Sequence, residues 1–521
     1  MTDRVTIVTR FFCGIESTLH NSAKALCYTC HITPHATKKE SAMQHVPLTK
    51  PRIGLFAIGL EAYWGQFPGL REELLSYYEV IAQQLSDRGA EVVGAGMVDT
   101  AQAATAAGQF FAKSQVDLLI CHTATYATSS QVLPIVQRAN TQVLVLNLQP
   151  VAQLDYPNTD TANWLAACAA CCVPEISNAF RRAHIPFQVV SGTLHDDPRA
   201  WGRIGEWIRA AGAVAALRNA RIGMLGHPYP GMLDMYSDPT MLHAQLGAHV
   251  EWLEFDELAE ASQSAQTQAV SDRVGLIRSS FVEAPMGVDR ISRPVTADGL
   301  TNAAQTSLGL DTLVERHRLD ALCYYHRGIP GMPTADAAAH LIVGATLLTW
   351  QGIPCAGEGD LKTAVAMYIM DRIGAGGSFT EFYAMDVPEQ FVLMGHDGPA
   401  HPHISDKPPF MRALSLYHGK SGEGISIELT VKTGPITILG VTQDGNGKLR
   451  MLVAEGEAIP GPVLQIGNTN SRLKFALDPA TFMDTWCEQA PTHHVALGVG
   501  HHATVLRHVA RLLGIDCVVV A

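Results

Sequence analysis

Four stretches in the second half of the sequence place carboxylate or imidazole side chains in turn-like settings. Glu358 lies in AGEGDLKTA, Glu381 in GGSFTEFYAMD, His396 in VLMGHDGPAHP, and the pair His493 and His494 in APTHHVALGVGHH. Two carboxylates with one or two imidazoles form an oxygen and nitrogen ligand set that suits Mn²⁺, Mg²⁺, Fe²⁺ or Zn²⁺. These residue types therefore indicate a divalent metal site.

The same residues also have an ordinary structural interpretation. Glu358 would cap the following helix, Glu381 would be a solvated loop charge, and the histidines would lie at the surface or in the core. Gly357 and Gly359 favour the metal site, because glycine lets the backbone approach a ligand closely and adopt unusual dihedral angles. The loop also follows a predicted strand, and open α/β sheets place their sites at the carboxyl ends of strands.

The elements that must position these residues alternate between strand and helix from Ile53 onward. A first series contains RIGLFAIGL, AEVVGAGMV, VDLLICHT and TQVLVLNLQP, and a second begins near PFQVVSGTLHDD and continues through RIGMLGHPY, HVEWLEFD and LDALCYYH. Short β-type runs dominate after residue 376. We therefore predict an α/β fold with two doubly wound parallel-sheet domains followed by a β-rich C-terminal domain. The predicted divisions are 1–51 for a leader or N-terminal arm, 52–186 for the N-terminal α/β domain, 187–375 for the central α/β domain and 376–521 for the β-rich domain.

Composition narrows the class of partner. The chain has 521 residues and a formal net charge of -12, which argues against nucleic acid because phosphate binding depends on an excess of Lys and Arg. We find no run of about 18 consecutive apolar residues that would predict a membrane span, and no clear secretory signal. We therefore expect a cytoplasmic protein that acts on a small molecule. The eleven cysteines have no regular spacing, which argues against a disulfide framework.

GEGDLKTA, followed in order by GGSFTEFY, VLMGHD and a His-His pair, resembles the L-arabinose isomerase family and, more loosely, the L-fucose isomerase group. The order and spacing match over residues 340 to 500, and the α/β pattern from residue 52 is compatible. The resemblance implies that Glu358 and Glu381 are metal ligands and acid/base groups and that His396 is a ligand. It implies His494 as the last ligand, with His493 beside it in the pocket.

The activity that the resemblance implies is metal-dependent aldose-ketose isomerisation of an open-chain pentose, deoxyhexose or related sugar through an ene-diol. Such a reaction needs a base that removes a carbon-bound proton and an acid that protonates the neighbouring oxygen. A divalent ion stabilises the developing charge, with Mn²⁺ as our first choice and Mg²⁺, Co²⁺, Fe²⁺ or Zn²⁺ as alternatives. Which glutamate is acid and which is base stays open. The resemblance also implies a homo-oligomer, a trimer or hexamer, in which a neighbour's N-terminal domain closes the pocket.

Two segments depart from the arabinose isomerases and leave the sugar open. The turn IGLEAYWGQFPG places Glu61 and Trp64 where those enzymes have a glutamine-containing turn, and CYYHRGIPG places His326 where they have an acidic pair. We expect Glu61, Trp64 and His326 to contact the substrate, together with His195 and His493.

Two other functions stay open from the sequence. An isomerase or epimerase of a sugar acid or branched sugar would use the same metal centre, with Arg327 or Lys362 binding a carboxylate. A non-catalytic sugar-binding or regulatory protein is the other alternative, although binding alone does not require two acid/base carboxylates.

The N-terminal segment contains CYTCH, from Cys27 to His31, which matches the short haem-attachment pattern Cys-x-x-Cys-His. The alternatives are a small zinc or redox site and an incidental polar leader, and we favour the leader because no small helical haem domain follows.

Overall fold

The computed structural model describes residues 45–287, 289–414 and 424–520. CYTCH and the rest of the chain up to residue 44 lie outside the described residues. The role of the predicted leader therefore stays a prediction.

The described strands form four sheets. In chain order they are β1 Arg52–Ile58, β2 Glu91–Val98, β3 Leu118–Thr123, β4 Val143–Gln149, β5 Phe187–Thr193, β6 Arg221–Leu225, β7 His249–Leu253, β8 Val282–Glu283, β9 Ser292–Arg293, β10 Ala321–Tyr324, β11 Cys355–Ala356, β12 Gly376–Asp386, β13 Phe391–His396, β14 Phe410–Leu414, β15 Gly424–Glu428, β16 Gly434–Gln443, β17 Leu449–Ile459, β18 Thr469–Phe475, β19 His494–Val499 and β20 Asp516–Val519.

The described α-helices fall mainly between the parallel strands. They are Leu70–Asp87, Ala101–Ser114, Leu133–Ala139, Thr161–Ala166, Val173–Arg182, Pro198–Asn219, Pro239–Leu246, Phe255–Gln263, Thr267–Ser280, Ala297–His317, Pro333–Ala339, Leu341–Trp350, Leu361–Arg372, Pro479–Cys487 and Ala503–Leu513. Short 3-10 turns cover Glu61–Tyr63, Ser129–Gln131, Leu233–Met235 and Pro402–Ile404. Across the described ranges, no helix has the length and apolar character needed to cross a membrane.

The first sheet has five parallel strands in the order β2-β1-β3-β4-β5. Successive side chains of β1 point to opposite faces, so Leu55 and Ala57 join one apolar cluster while Phe56 and Ile58 join another. All four side chains are fully buried. The interior strand β1 is therefore buried on both faces, as expected of parallel strands with helical connections.

The strand in PFQVVSGTLHDD completes the first sheet, whereas we expected it to begin the second series. β5 pairs with β4 from Phe187 opposite Val143 to Thr193 opposite Gln149. Which sheet a strand joins depends on backbone pairing with a distant segment, which local sequence does not record. The second sheet has four parallel strands in the order β11-β10-β6-β7. The α/β class is confirmed, and the doubly wound arrangement and the domain boundaries stay predictions.

The C-terminal region is rich in β-strands, as predicted. Its largest sheet runs β16-β19-β12-β13-β18-β17, and β17 pairs back to β16, so these six strands close on themselves. β20 adds to β17 as a parallel strand. A smaller sheet joins β14 and β15 to β8 and β9, which come from the middle of the chain. The closed arrangement brings β12, β13 and β19 side by side, and these strands carry three of the predicted metal ligands.

Four of the eight cysteines in the described ranges are buried thiols. Cys121, Cys323 and Cys355 are unpaired and buried, and burial raises the pKa of the Cys355 thiol to about 12. Cys168 and Cys171 form a disulfide across three positions of the chain. This bond closes a short local loop and does not crosslink distant segments.

His122 lies near the carboxyl end of β3, and its burial leads us to predict that the stability of the folded protein depends on pH. Its side chain is 1% exposed, its Nδ1 has no hydrogen-bond partner in the described ranges, and burial lowers its pKa from 6.5 to about 4. Between pH 6.5 and pH 4 the unfolded chain takes up a proton at this residue that the folded chain does not. Stability is therefore lost as the pH falls through this window, by about 1.4 kcal/mol per pH unit or roughly 3 kcal/mol in all.

We expect His122→Leu to flatten the decline in the free energy of unfolding between pH 7 and pH 4.5, measured by denaturant titration at each pH. The matched control is His501→Leu, because His501 is exposed. Equal slopes for wild type and His122→Leu would contradict the assignment.

Candidate functional site

The loop after β11 holds Glu358 in a strained conformation. Its φ angle is 60°, in the left-handed region that non-glycine residues avoid, at a cost of about 1 kcal/mol or more. The side chain is 16% exposed and its Oε2 has no hydrogen-bond partner among the described residues. Burial raises the pKa of this carboxyl. A strained backbone that holds an unpartnered carboxylate oxygen points to a functional role for Glu358.

The two glycines of this loop let neighbouring elements pack closely against the loop backbone. A Cβ on Gly357 would lie 2.9 Å from the Phe379 ring, and a Cβ on Gly359 would lie 2.5 Å from the carbonyl oxygen of His227. The Tyr229 N–H donates to the carbonyl of Glu358 at 2.9 Å. We expected the glycines to admit a ligand to the backbone, but the groups that approach them belong to neighbouring elements.

Asp360 caps the helix Leu361–Arg372, so the interpretation of Glu358 as the helix cap is wrong. The Thr363 N–H donates to Asp360 Oδ1 at 3.0 Å, and the Thr363 hydroxyl donates to Oδ2 at 2.8 Å. The same Oδ2 lies 3.0 Å from His494 Nδ1. A carboxylate in this position selects the tautomer with the proton on Nδ1 and leaves Nε2 of His494 as a lone-pair donor.

His494 begins β19, directly opposite Glu381 on β12. Its side chain is fully buried, and its Nε2 has no hydrogen-bond partner among the described residues. Burial lowers the pKa of His494 to about 4, and the hydrogen bond to Asp360 only partly opposes this. Nε2 lies 3.7 Å from Glu358 Oε2. A neutral imidazole beside an unpartnered carboxylate oxygen is a suitable ligand pair for a divalent cation.

His396 ends β13 and is 4% exposed. Its Nδ1 accepts from the Gly398 N–H at 2.9 Å and lies 3.2 Å from Asp397 Oδ1. A cation at Nε2 requires the other tautomer, in which Nδ1 carries the proton and donates to Asp397 in place of the contact with Gly398. Burial lowers the pKa of His396, but the contact with Asp397 and the nearby glutamates raise it more. The Phe379 ring packs against both imidazoles, with ring centroids 4.4 Å from His396 and 4.3 Å from His494.

The four predicted ligands fall into two overlapping groups that share His494. Candidate ligand atoms of Glu358, His396 and His494 lie within 4.8 Å of one another, and those of Glu381, His493 and His494 form a second such group. Glu358, Glu381 and His396 line a cavity of about 430 Å³. This donor set fits a hard or borderline divalent ion, and the unpartnered atoms on Glu358 and His494 are the groups that such an ion would satisfy.

His493 lies beside His494 but is held by a different carboxylate. The two rings are 3.8 Å apart, while His493 Nδ1 lies 2.6 Å from Asp234 Oδ2 and the His493 N–H donates to the same oxygen at 2.9 Å. Burial lowers the pKa of His493, but the contact with Asp234 raises it by more, so its pKa lies above the usual value. His493 lines a neighbouring cavity of about 310 Å³ that also contains Glu381. The contact between His493 and Asp234 connects the 3-10 turn at residues 233–235 to the start of β19.

The other residues predicted to contact substrate divide into two sets. His326 is buried and lines the cavity with the glutamates. Glu61, Trp64 and His195 follow strands of the first sheet and do not line this cavity. The Trp64 indole N–H donates to Asp99 Oδ2 at 2.9 Å. Contact between these three residues and a substrate stays a prediction.

Sequence reasoning missed four polar residues near the centre. Asp397 had a local signal, because it follows His396 directly in VLMGHD. Asp234, Tyr383 and Asn468 had none, since their partners are distant in the chain. Only the fold places such pairs in contact.

Asp360 both caps a helix and contacts His494, so we predict that changing Asp360 weakens metal binding. We expect Asp360→Asn to weaken Mn²⁺ binding by about 10- to 100-fold, because His494 loses the carboxylate that orients it. The measurement is calorimetric titration of the purified chain with Mn²⁺. Asp478→Asn is the matched control, since Asp478 caps the exposed end of helix Pro479–Cys487 with hydrogen bonds from Ala480 and Thr481. Equal Mn²⁺ affinities for the two variants would contradict the positioning role of Asp360.

Comparisons with known proteins identify relatives. Residues 408–520 match the family model described as L-fucose isomerase, C-terminal domain. The L-arabinose isomerase of Erwinia tasmaniensis is 26% identical over 349 residues, which cover 65% of this chain and 68% of that protein. The L-arabinose isomerase of Serratia proteamaculans is 24% identical over 332 residues, covering 61% and 64%. The chain thus spans about two thirds of the length of these curated relatives.

Among solved structures, an ABC transporter periplasmic solute binding protein from Actinobacillus succinogenes with bound D-allose aligns with 58% of this chain and 94% of its own. The identity is 15% and the TM-score is 0.17, and a likeness this low supports no argument.

Proposed function

Because the chain belongs to the superfamily of L-arabinose and L-fucose isomerases, we propose that it is a metal-dependent aldose-ketose isomerase. Its substrate is an open-chain pentose, deoxyhexose or related sugar, and its compartment is the cytoplasm. The observation that carries the proposal is that Glu358, Glu381 and His396 line one cavity, and that His494 offers a ligand atom within 4.8 Å of those of Glu358 and His396 in one group and of Glu381 in another.

Glu358, Glu381, His396 and His494 are the residues that would hold the metal ion. Mn²⁺ is our first choice, with Mg²⁺, Co²⁺, Fe²⁺ or Zn²⁺ as alternatives. When bound, the ion would supply a positive charge that lowers the pKa of the sugar hydroxyl groups beside it. Asp360 holds Nδ1 of His494 and Asp397 contacts Nδ1 of His396, so Nε2 of each imidazole is the atom that would bind the ion.

Glu358 and Glu381 are our candidates for moving the proton. The reaction requires one group that takes a proton from carbon and another that returns a proton to the adjacent oxygen. The two carboxylates come from different elements, a strained loop and β12, yet line the same cavity. They can therefore address one substrate from two directions.

The position of Lys362 disfavours a sugar acid as substrate. Lys362 is 1% exposed, and its Nζ donates to the Tyr236 carbonyl at 3.1 Å and to the Ser237 hydroxyl at 2.8 Å. Its ammonium group therefore anchors the segment before residue 238 and is not placed for a substrate carboxylate. The Arg327 guanidinium lies over the Tyr229 ring at 5.0 Å. Uncharged sugars are the better proposal.

The proposed function is tested by assaying the chain with and without Mn²⁺ on a panel of aldopentoses, 6-deoxyhexoses, hexoses and sugar acids. We expect metal-dependent formation of a ketose from an uncharged aldose, measured by chromatography of the sugar products. Turnover confined to sugar acids would favour the epimerase alternative. Metal-dependent sugar binding without turnover would favour a binding protein.

We further propose that the chain assembles as a trimer or hexamer in which a neighbour's N-terminal domain brings Glu61 and Trp64 to the cavity. We expect Trp64→Ala to raise KM for the preferred sugar by about 10-fold or more, because an aromatic contact to substrate is lost. Steady-state kinetics measure this, and Trp252→Ala is the control because Trp252 is 59% exposed. Unchanged sugar kinetics for Trp64→Ala would contradict the shared pocket.

A further inference from the structure

The loop before β18 forms one wall of the cavity and is held in place by a buried amide. Leu464, Ile466 and Asn468 line the cavity from this loop. Asn470, 2% exposed, accepts from the Leu464 N–H at 2.9 Å and donates to the carbonyls of Leu464 and Asn468 at 2.9 and 3.0 Å. Three hydrogen bonds from one side chain make this wall a preformed part of the cavity.

Packing from the smaller C-terminal sheet supports the same loop. Gly467 has a φ of 84°, and a Cβ there would lie 2.9 Å from the Leu414 side chain. The Ser426 hydroxyl donates to the Gly467 carbonyl. The position of Asn468, the next residue, is therefore set by β14 and β15.

Tyr383 reaches the same cavity through an irregularity in β12. Glu381 pairs with Gly395 and Phe382 with Met394, but the next pair is Ala384 with Leu393, so Tyr383 is the extra residue of a β-bulge. Bulges next to functional sites redirect a side chain. Tyr383 lines the cavity together with Glu381.

Asn468 and Tyr383 form a polar pair with unused hydrogen-bonding capacity. The Asn468 Nδ2 donates to the Tyr383 hydroxyl oxygen at 2.7 Å, which leaves the Tyr383 O–H proton able to donate elsewhere. Asn468 is 3% exposed, and its Oδ1 has no hydrogen-bond partner among the described residues. A buried acceptor without a partner is costly to the free protein and is satisfied by a ligand donor.

Asn468 lies just before the strand next to that of His396, one residue past the level of this predicted ligand. His396 pairs with Thr469, so Asn468 lies one residue past the level of His396 on the adjacent strand. A sugar held at its first two oxygens near His396 and the glutamates would extend its remaining hydroxyls into this part of the cavity.

We propose that Asn468 and Tyr383 are specificity-determining residues that recognise one hydroxyl of the sugar beyond its first two oxygens. The hydroxyl donates to Asn468 Oδ1 and accepts from the Tyr383 O–H. This inference rests on the proposed isomerase function. A hydroxyl on the opposite side of its carbon cannot make both contacts, so the pair reads the configuration of that carbon.

The test uses pentitols, which are open-chain and cannot isomerise. Ribitol, xylitol, D-arabitol and L-arabitol are titrated calorimetrically into the Mn²⁺-loaded chain. We expect wild type to bind the four with a spread of about 10- to 100-fold in Kd, the range expected for leaving a buried polar group unpaired. Asn468→Ala and Tyr383→Phe should weaken the tightest pentitol and reduce the spread to about 3-fold or less.

Tyr383→Phe removes only a hydroxyl, so it keeps the test valid if Asn468→Ala does not fold. Asn163→Ala is the matched control, because Asn163 is exposed on the helix Thr161–Ala166. The inference is overturned if wild type does not distinguish the pentitols, or if both variants weaken all four equally or not at all. Failure of the proposed function has a different result, in which wild type with Mn²⁺ binds no pentitol and converts no sugar.

Discussion

Glu358→Gln is expected to lower kcat on the preferred sugar by about 10³-fold or more, because general acid/base groups contribute about 10²- to 10⁴-fold. The change preserves the size of the side chain and removes only the capacity to hold charge and carry a proton. Glu358 combines an unpartnered Oε2, a left-handed backbone and contact with the 430 Å³ cavity. The measurement is steady-state turnover at saturating Mn²⁺, so that a weaker metal site does not by itself explain the loss.

The matched control for this change is Glu79→Gln, because Glu79 is an exposed glutamate on the helix Leu70–Asp87. We expect this variant to keep wild-type kcat. If Glu358→Gln retained more than about one tenth of wild-type kcat, a loss too small for an acid/base group, Glu358 would not be a catalytic residue.

His494→Gln is expected to weaken Mn²⁺ binding by about 100-fold or more, since removing a metal ligand costs more than the 10- to 100-fold seen when a supporting residue is lost. His494 is fully buried, neutral, and held at Nδ1 by Asp360 with Nε2 unpartnered. Calorimetric titration with Mn²⁺ measures the affinity directly and does not depend on knowing the sugar.

His493→Gln is the discriminating control, because the two histidines are adjacent in sequence and differ in what holds them. Nδ1 of His493 is paired with Asp234, at a partly exposed position. We expect this variant to lose less than about 10-fold in Mn²⁺ affinity, below the roughly 10- to 100-fold for a residue that orients a ligand, because the Nδ1 of His493 is paired with Asp234 and orients no assigned ligand. A larger loss for His493→Gln than for His494→Gln would reverse the ligand assignment.

The parts of the fold that depend on local pattern were predictable. β1, β3 and β4 each contain a continuous apolar run, as is typical of buried parallel strands, and the helix Leu70–Asp87 has apolar residues at helical spacing. The parts that depend on pairing between distant segments were not predictable. β5 joins the first sheet, and β8 and β9 join the C-terminal β14. The backbone groups that pair two strands are the same for nearly all residue types, so local sequence does not record which strands pair.

The candidate site divides in the same way. The glycines around Glu358 and the residue Asp397 after His396 are sequence neighbours, so a motif contains them. The contacts of Asp360 with His494, Asp234 with His493 and Tyr383 with Asn468 span 134, 259 and 85 residues. No motif can contain a pair separated by such distances.

The sequence by itself determined the residue types of the centre, two glutamates and a set of histidines in short motifs, together with the α/β and β-rich character of the elements that carry them. Only the tertiary structure decided which nitrogen of His494 is without a partner among the described residues, which carboxylate caps a helix, and which polar pair lines the same cavity. The physical reason is that ligand chemistry belongs to individual side chains, whereas tautomer, burial and orientation are set by neighbours that a closed sheet brings together from distant parts of the chain.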